Sequence, residues 1–169
     1  MLIVGSLTRA PNYLEGVLST HVEVDGSDAT SWIGDMIMDS RFHEQAKVIF
    51  TDGGAVGGFN VIDLEDLHEL TGIPVISVSR DEPDFQGIER ALKKHFTDWR
   101  SRLELFRTGD VHTVETGHLP IYIKMEGVEL NEARRLLKLF TVRGRLPEPV
   151  RISHLVASGI VRGESRGKA

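Results

Sequence analysis

The chain has 169 residues, of which 40% are hydrophobic and 27% charged, with a formal net charge of −5. This suits one domain with a real core and argues against a disordered or low-complexity chain. With no cysteine, disulfides, thiolate metal sites and cysteine nucleophiles are excluded, and no apolar stretch is long enough to span a bilayer. Met1 to Ile3 is followed at once by strand-like sequence with Arg9, which does not read as a signal peptide, so a cytoplasmic protein is expected. Charge is segregated along the chain. Residues 1–90 hold 16 acids against 5 Lys or Arg, and residues 91–169 hold 9 against 15. The first half can supply metal ligands and the second can meet phosphates, although any single charge reads as solvated surface.

Leu2–Thr8 and Val17–Val24 read as strands, with a turn over Pro11–Gly16 between them. Asp28 is a natural N-cap for a helix whose apolar residues Trp32, Ile33, Met36 and Ile37 recur at helical spacing. Lys47–Thr51 is a short buried strand. Val61–Leu70 is a helix stopped by Gly72, and Pro74–Ser79 is a strand apolar enough for the interior of a parallel sheet. Phe85–Phe106 is helical with a break near Thr97. Short strands near Val111–Glu115 and Leu119–Ile123 precede helices near Leu130–Phe140 and Val150–Ser158. The order β-β-α-β-α-β-α-β-β-α-α predicts an α/β fold, a mixed sheet flanked by helices. A single domain over 1–161 with a loose tail at 162–169 is expected.

Three places offer chemistry. Asp52 ends an apolar strand and opens a loop carrying Gly53, Gly54, Gly57 and Gly58. A rigid strand that delivers a carboxylate to a glycine-lined opening can hold a metal ion or a substrate group, while Asp-Gly is also a common turn pair. Asp25 and Asp28 lie where a strand exits and a helix begins, and each can instead serve a turn or a cap. His154 follows Arg151 near the start of the last helix, where a packing histidine is the plain alternative. Carboxylates with a histidine suit Mg²⁺ or Mn²⁺. His43, His68 and His95 sit among charged helical residues and read as surface positions.

The run Val48–Asn60, continuing through Gly72-Ile73-Pro74, resembles the central segment of endonuclease V. Leu146-Pro147-Glu148-Pro149-Val150-Arg151-Ile152-Ser153-His154 resembles that enzyme's closing motif. The likeness is closer still to the endonuclease dU family, archaeal relatives of endonuclease V, through Asp25–Thr30, Gly57–Asn60 and Pro147–His154. The resemblance covers essentially the whole chain. It implies a ribonuclease H-like fold and divalent-metal cleavage of DNA at deaminated bases, deoxyuridine being the implied target, with RNA left open. By position, Asp52, Asp25 or Asp28, and His154 would hold Mg²⁺ or Mn²⁺. Arg80 would stand near the scissile phosphate, able to fork onto two oxygens. Tyr13 matches a wedge that stacks in place of an extruded base, a packing role being its alternative. Gly53, Gly54, Gly57 and Gly58 would line the base pocket, with Asn60 reading a base edge or capping the next helix. Arg134, Arg135, Arg143 and Arg145 would meet phosphates. A nucleic-acid-binding protein with a degenerate site is the rival from another class.

One departure from that family stands out. Its first strand, bearing an aspartate of the metal site, precedes the sequence seen here, and Leu2-Ile3-Val4-Gly5 matches its second. The expectation is a start set too late, because losing a core strand exposes sheet edges. The rivals are a site short of one acid, or the position filled by a neighbouring acid or another subunit. The exposed edge then makes a homodimer plausible.

Overall fold

The β1–β2 ribbon (β1 Leu2–Arg9, β2 Tyr13–His21) stands apart from the main sheet, and that separation shapes the rest of the molecule. The structure is a computed structural model and describes residues 1–165. The two strands pair antiparallel with a bulge at Leu7/Thr8. The turn between them is shorter than the sequence predicts, because Ala10–Asn12 suffices and Tyr13 already belongs to β2. Ala10–Pro11 is cis.

The main sheet has four strands in the order β3-β6-β8-β7: β3 Ile49–Asp52, β6 Val75–Ser79, β7 His112–Val114 and β8 Ile121–Glu126. Between β3 and β6 come a small antiparallel ribbon, β4 Ala55–Val56 with β5 Asn60–Val61, and helix α2 Leu64–Thr71. The pairing β3–β6 is parallel, and β6–β8 and β7–β8 are antiparallel. The sheet is therefore mixed as expected. Its antiparallel character comes from β7 and β8 rather than from the opening ribbon, which makes no ladder with the main sheet.

The strand β6 is central because its side chains are buried on both faces. Ile76 and Val78 join Ile121, Ile123, Leu137 and Val150 under α5 (Leu130–Phe140) and α6 (Glu148–Arg162). Val75 joins Val22, Ile33 and Leu67 under α2 and α1 (Ala29–Met38). This period-two division between two apolar layers is the mark of a covered central strand. The predicted break near Thr97 is real: α3 Phe85–His95 and α4 Trp99–Arg107 are separate helices. The helix α2 ends on Gly72 in the left-handed conformation (φ 67°), as its sequence predicts. His43 and His68 are partly buried rather than surface residues. Their ring nitrogens lie 2.9 Å from the carbonyls of Thr71 and Ile73, which pins the turn after α2. Of the predicted loose tail, Arg162 ends α6, Gly163 caps it, Ser165 Oγ donates to the Leu155 carbonyl, and residues 166–169 lie outside the described residues. Among the described residues no helix is long and apolar enough to cross a membrane.

The helix α6 starts with a buried ion pair. The Glu148 side chain is only 3% exposed, and its carboxylate accepts Arg151 Nη2 at 2.6 Å and Nε at 3.0 and 3.1 Å. The pair raises the Arg151 guanidinium above its ordinary range. Arg151 retains 28% exposure, so the two partners are not equivalent. Arg151→Met strands a buried carboxylate and should cost about 3 kcal/mol. Glu148→Gln leaves a cation that can turn to water and should cost about 1 kcal/mol. Urea unfolding of both variants checks the order, and a larger loss for Glu148→Gln would contradict it.

Candidate active site

The candidate residues fall into two groups with different surroundings. The first group is built around Asn60, which is fully buried. Its Oδ1 accepts from the Ala29 N–H at 3.0 Å, at the first turn of α1. Its Nδ2 donates to the Glu23 carbonyl at 2.9 Å and to Asp28 Oδ1 at 2.6 Å. Asn60 thus serves a helix as the cap reading requires, but the helix is α1. The following helix, α2, is capped by Asp63, which accepts from the N–H groups of Glu65 and Asp66. Asp28 holds the N-cap position of α1 without capping it. Its carboxylate accepts from Asn60 and from the Glu23 N–H, and the Asn60 bond holds its pKa below the ordinary carboxylate value.

Asp25 is the one residue other than glycine with a left-handed backbone among those described (φ 57°). Its N–H donates to the Gly57 carbonyl at 2.7 Å, and its Oδ1 accepts from Phe59 N–H at 2.9 Å. The glycine loop is thereby folded into a hairpin turn with Asp25 lying over it. Gly58 is required there: its φ is +89°, and a Cβ would stand 2.1 Å from Asp25 Oδ1. Arg102 completes the platform. Its Nη1 donates to the carbonyls of Gly26 and Phe59, each at 2.7 Å, and its guanidinium lies over the Phe96 ring. Sequence reasoning missed Arg102, which sits 76 residues from Gly26 with no local signal to mark it.

The second group faces a groove of about 500 Å³ between β1 and β3. Asp52 and His154 both line it, with Ser153 beside them. Both are exposed, and among the described residues the Asp52 carboxylate makes no hydrogen bond or ion pair. Asp25 and Asp28 do not line this groove. Among the described residues no group of three or more His, Asp or Glu side chains is close enough to hold a metal ion. Arg80 follows β6, just past Val78, the partner of Asp52. Its carbonyl accepts from Arg145 Nη1 at 2.9 Å, which occupies Arg145 in joining β6 to the Pro120 turn. Arg135 is paired with Glu132, whereas Arg143 and Arg134 are exposed. Tyr13 is 66% exposed at the tip of the first ribbon, with Leu14 beside it.

A mixed sheet covered by helices, with an acid at the end of a strand, has close structural counterparts. A protein of unknown function from Archaeoglobus fulgidus superposes with a TM-score of 0.86 at 39% identity, over 94% of this chain and 89% of that one. Endonuclease V from Bacillus subtilis gives a TM-score of 0.54 at 13% identity, over 89% of this chain and 68% of that one. Endonuclease V from Ciona intestinalis, in complex with a 24mer DNA containing an inosine, gives 0.50 at 13%, over 89% and 73%. The fold is thus ribonuclease H-like, in the form that endonuclease V has. More narrowly, the chain belongs to the endonuclease dU family, which it matches over residues 1–161. The UPF0215 protein of Methanothermobacter thermautotrophicus is 46% identical over 170 residues, covering 100% of this chain and 83% of that protein.

Two measurements test the division into groups. Asn60→Ala removes one cap and two further buried bonds and should cost about 2–4 kcal/mol, read by urea unfolding. Asp28 has a lower pKa folded than unfolded, so its contribution is present above the unfolded value of 3.8 and is lost as pH falls through the folded one. Between about pH 5 and pH 2, Asp28→Asn should therefore lose less stability than the parent protein. Equal losses would mean that the Asn60–Asp28 bond does not discriminate the ionised form.

Proposed function

We propose that this protein is an endonuclease that cleaves DNA at or near deaminated bases, with deoxyuridine as the target and Asp52 as its central acid. The observation that carries the reading is the contrast among the carboxylates. Asp25 and Asp28 are engaged in holding loops, whereas Asp52 is exposed on a rigid strand in a groove it shares with His154. An acid with no structural partner, in a chain of the endonuclease dU family, is the group to assign to chemistry. DNA as the partner is supported by the family's description and by the DNA complex of the Ciona endonuclease V.

Asp52 and His154 fit Mg²⁺ or Mn²⁺ in kind, as a carboxylate and an imidazole, though the two alone do not complete a ligand set. Such an ion, when bound, activates water and stabilises the leaving oxygen of a phosphodiester. The chain's own residues have separate tasks. Asp52 fixes negative charge at the mouth of the groove, and His154 exchanges or orients a proton there. Arg80, at the end of the neighbouring strand, holds a phosphate through its planar fork. Gly53 and Gly54 let backbone amides come close to a base. Exposed Tyr13 stacks on the duplex where a nucleotide has left it, with Leu14 alongside.

A labelled oligonucleotide bearing uracil, incubated with Mg²⁺, Mn²⁺ or chelator, tests this. Metal-dependent nicking is expected, reduced at least ~100-fold by Asp52→Asn. Because Asp52 supports nothing else, that variant should stay within about 0.5 kcal/mol of the parent in stability. Undiminished cleavage by a folded Asp52→Asn protein would end the assignment. One observation favours a second reading: of the four residues expected to hold the metal, Asp52 and His154 line the groove and Asp25 and Asp28 do not. A non-catalytic DNA-binding protein would show salt-sensitive binding with no cleavage at any metal concentration.

A further inference from the structure

A second cavity, of about 210 Å³, lies under α3 and α4, on the face of the main sheet away from α5 and α6. The pleat of β6 explains its floor. Ile76 and Val78 point into the apolar layer under α5 and α6, so Val75, Ser77 and Ser79 point the other way. Val75 is packed in the core with α1 and α2, but the next two positions bring hydroxyls. On β8, Lys124 stands opposite Ser77, and Tyr122 opposite Ser79. Ser77 is only 5% exposed, and among the described residues neither serine hydroxyl has a hydrogen-bond partner. Lys124 Nζ donates to the carbonyls of Phe106 at 2.5 Å and Thr108 at 2.7 Å, which leaves one further N–H. Burial pushes its pKa below the ordinary lysine value. The Phe85 ring, 5.4 Å from Nζ, forms an apolar wall together with Phe106, Ile62 and Ile88. A layer that ends in two hydroxyls and a half-buried ammonium is not built for packing alone.

The lining selects the ligand. Lys124 is its one cation and shares it with three carboxylates, Asp63, Glu65 and Glu126, so an anion is disfavoured. The apolar walls suit a flat ring. The volume lies below the roughly 300 Å³ at which ordinary ligand pockets begin, which suits a single ring. The cavity reaches the glycine turn: Gly54 lines it, and a Cβ on Gly53 would stand 3.9 Å from Ser79 Oγ. A pyrimidine entering there with its sugar at Ser79 turns ring position 4 toward Ser77 and Lys124, two residues or roughly 7 Å further along the strands. Position 4 is where deamination acts, replacing an amino donor by a carbonyl acceptor. An ammonium only donates, so it pairs with the carbonyl and repels the amino group. Resting on the nuclease reading given above, we infer that Lys124, with Ser77 beside it, is the specificity-determining residue: its remaining N–H recognises the 4-keto group of an inserted pyrimidine.

The test titrates free deoxyuridine, deoxycytidine and deoxyinosine onto the whole protein and follows the methyl groups of Ile62 and Ile88 by NMR. Deoxyuridine is expected to bind about ten-fold more tightly than deoxycytidine, as one hydrogen bond from a charged donor predicts. Lys124→Met should bring the two to within about two-fold of each other, and Lys124→Gln, whose amide both donates and accepts, should admit deoxycytidine. Ser77→Ala, a change too small to unfold the protein, should reduce the preference about three-fold. The inference is overturned if the parent binds deoxyuridine and deoxycytidine alike or binds neither, or if folded Lys124→Met keeps the preference. Should Lys124→Met not fold, an undiminished preference in Ser77→Ala overturns it instead. Tighter binding of deoxyinosine would give the cavity to a purine and would overturn it as well. The two readings separate cleanly. Asp52-dependent nicking at uracil without a nucleoside preference would sink this inference alone, and a nucleoside preference without nicking would sink the nuclease reading alone.

Discussion

The buried amide of Asn60 is the contact on which the arrangement of loops depends. A side chain withdrawn from water must find partners for its carbonyl and its NH₂ group, or cost about 1–3 kcal/mol for each group left unmet. Asn60 finds them in three segments: the exit of β2 at Glu23, the start of α1 at Ala29, and Asp28 between them. Since Asn60 belongs to β5, those bonds fix the β4–β5 ribbon against the first ribbon and α1. The ribbon in turn fixes the glycine turn that begins one residue after Asp52. The path from a buried amide to the mouth of the groove is therefore short and continuous.

This explains why carboxylates of similar sequence context have different roles. Asp25 and Asp28 are each held by donors that come from distant parts of the chain, and Arg102 closes the same platform from the side. Their carboxylate oxygens are taken up by N–H donors. Asp52 lies on the far side of the glycine turn, and among the described residues its carboxylate has no hydrogen-bond or ion-pair partner. Of the two carboxylates that line the groove, Glu15 is paired with Arg9, which leaves Asp52 as the one to assign to chemistry.

The sequence conveyed the elements well, because helical spacing at Ile33 and Ile37, the cap at Gly72 and the apolar run in β6 are local signals. It conveyed the strand end at Asp52 for the same reason. It did not separate the ribbon from the main sheet, because edge pairing depends on which strand lies beside which, and no single strand records that. The tasks of Asp25, Asp28 and Asn60 were equally hidden. Each residue suits a cap, a turn or a ligand, and the choice is made by Phe59, Ala29 and Glu23, up to 37 residues away. The exposure of Tyr13 was hidden for a simpler reason: an aromatic residue beside a turn can pack or project, and only the ribbon's placement leaves this one 66% exposed.

The position of His154 depends on how the start of α6 is held. Arg151 and His154 are three residues apart on α6, so they share a face of the helix. Glu148 holds Arg151 through three contacts within the first turn of α6, which stiffens that turn. Ser6 adds a second anchor by donating to the Pro149 carbonyl at 2.8 Å, tying the helix start to β1 on the opposite wall of the groove. The pair thus shares the first turn of α6 with the Pro149 carbonyl that Ser6 holds, just before His154. A variant that loosens the pair should therefore disturb the groove as well as the stability. In Arg151→Met, exchange of the β1 amides should quicken along with the loss of stability, whereas Asn60→Ala should act first on the glycine turn.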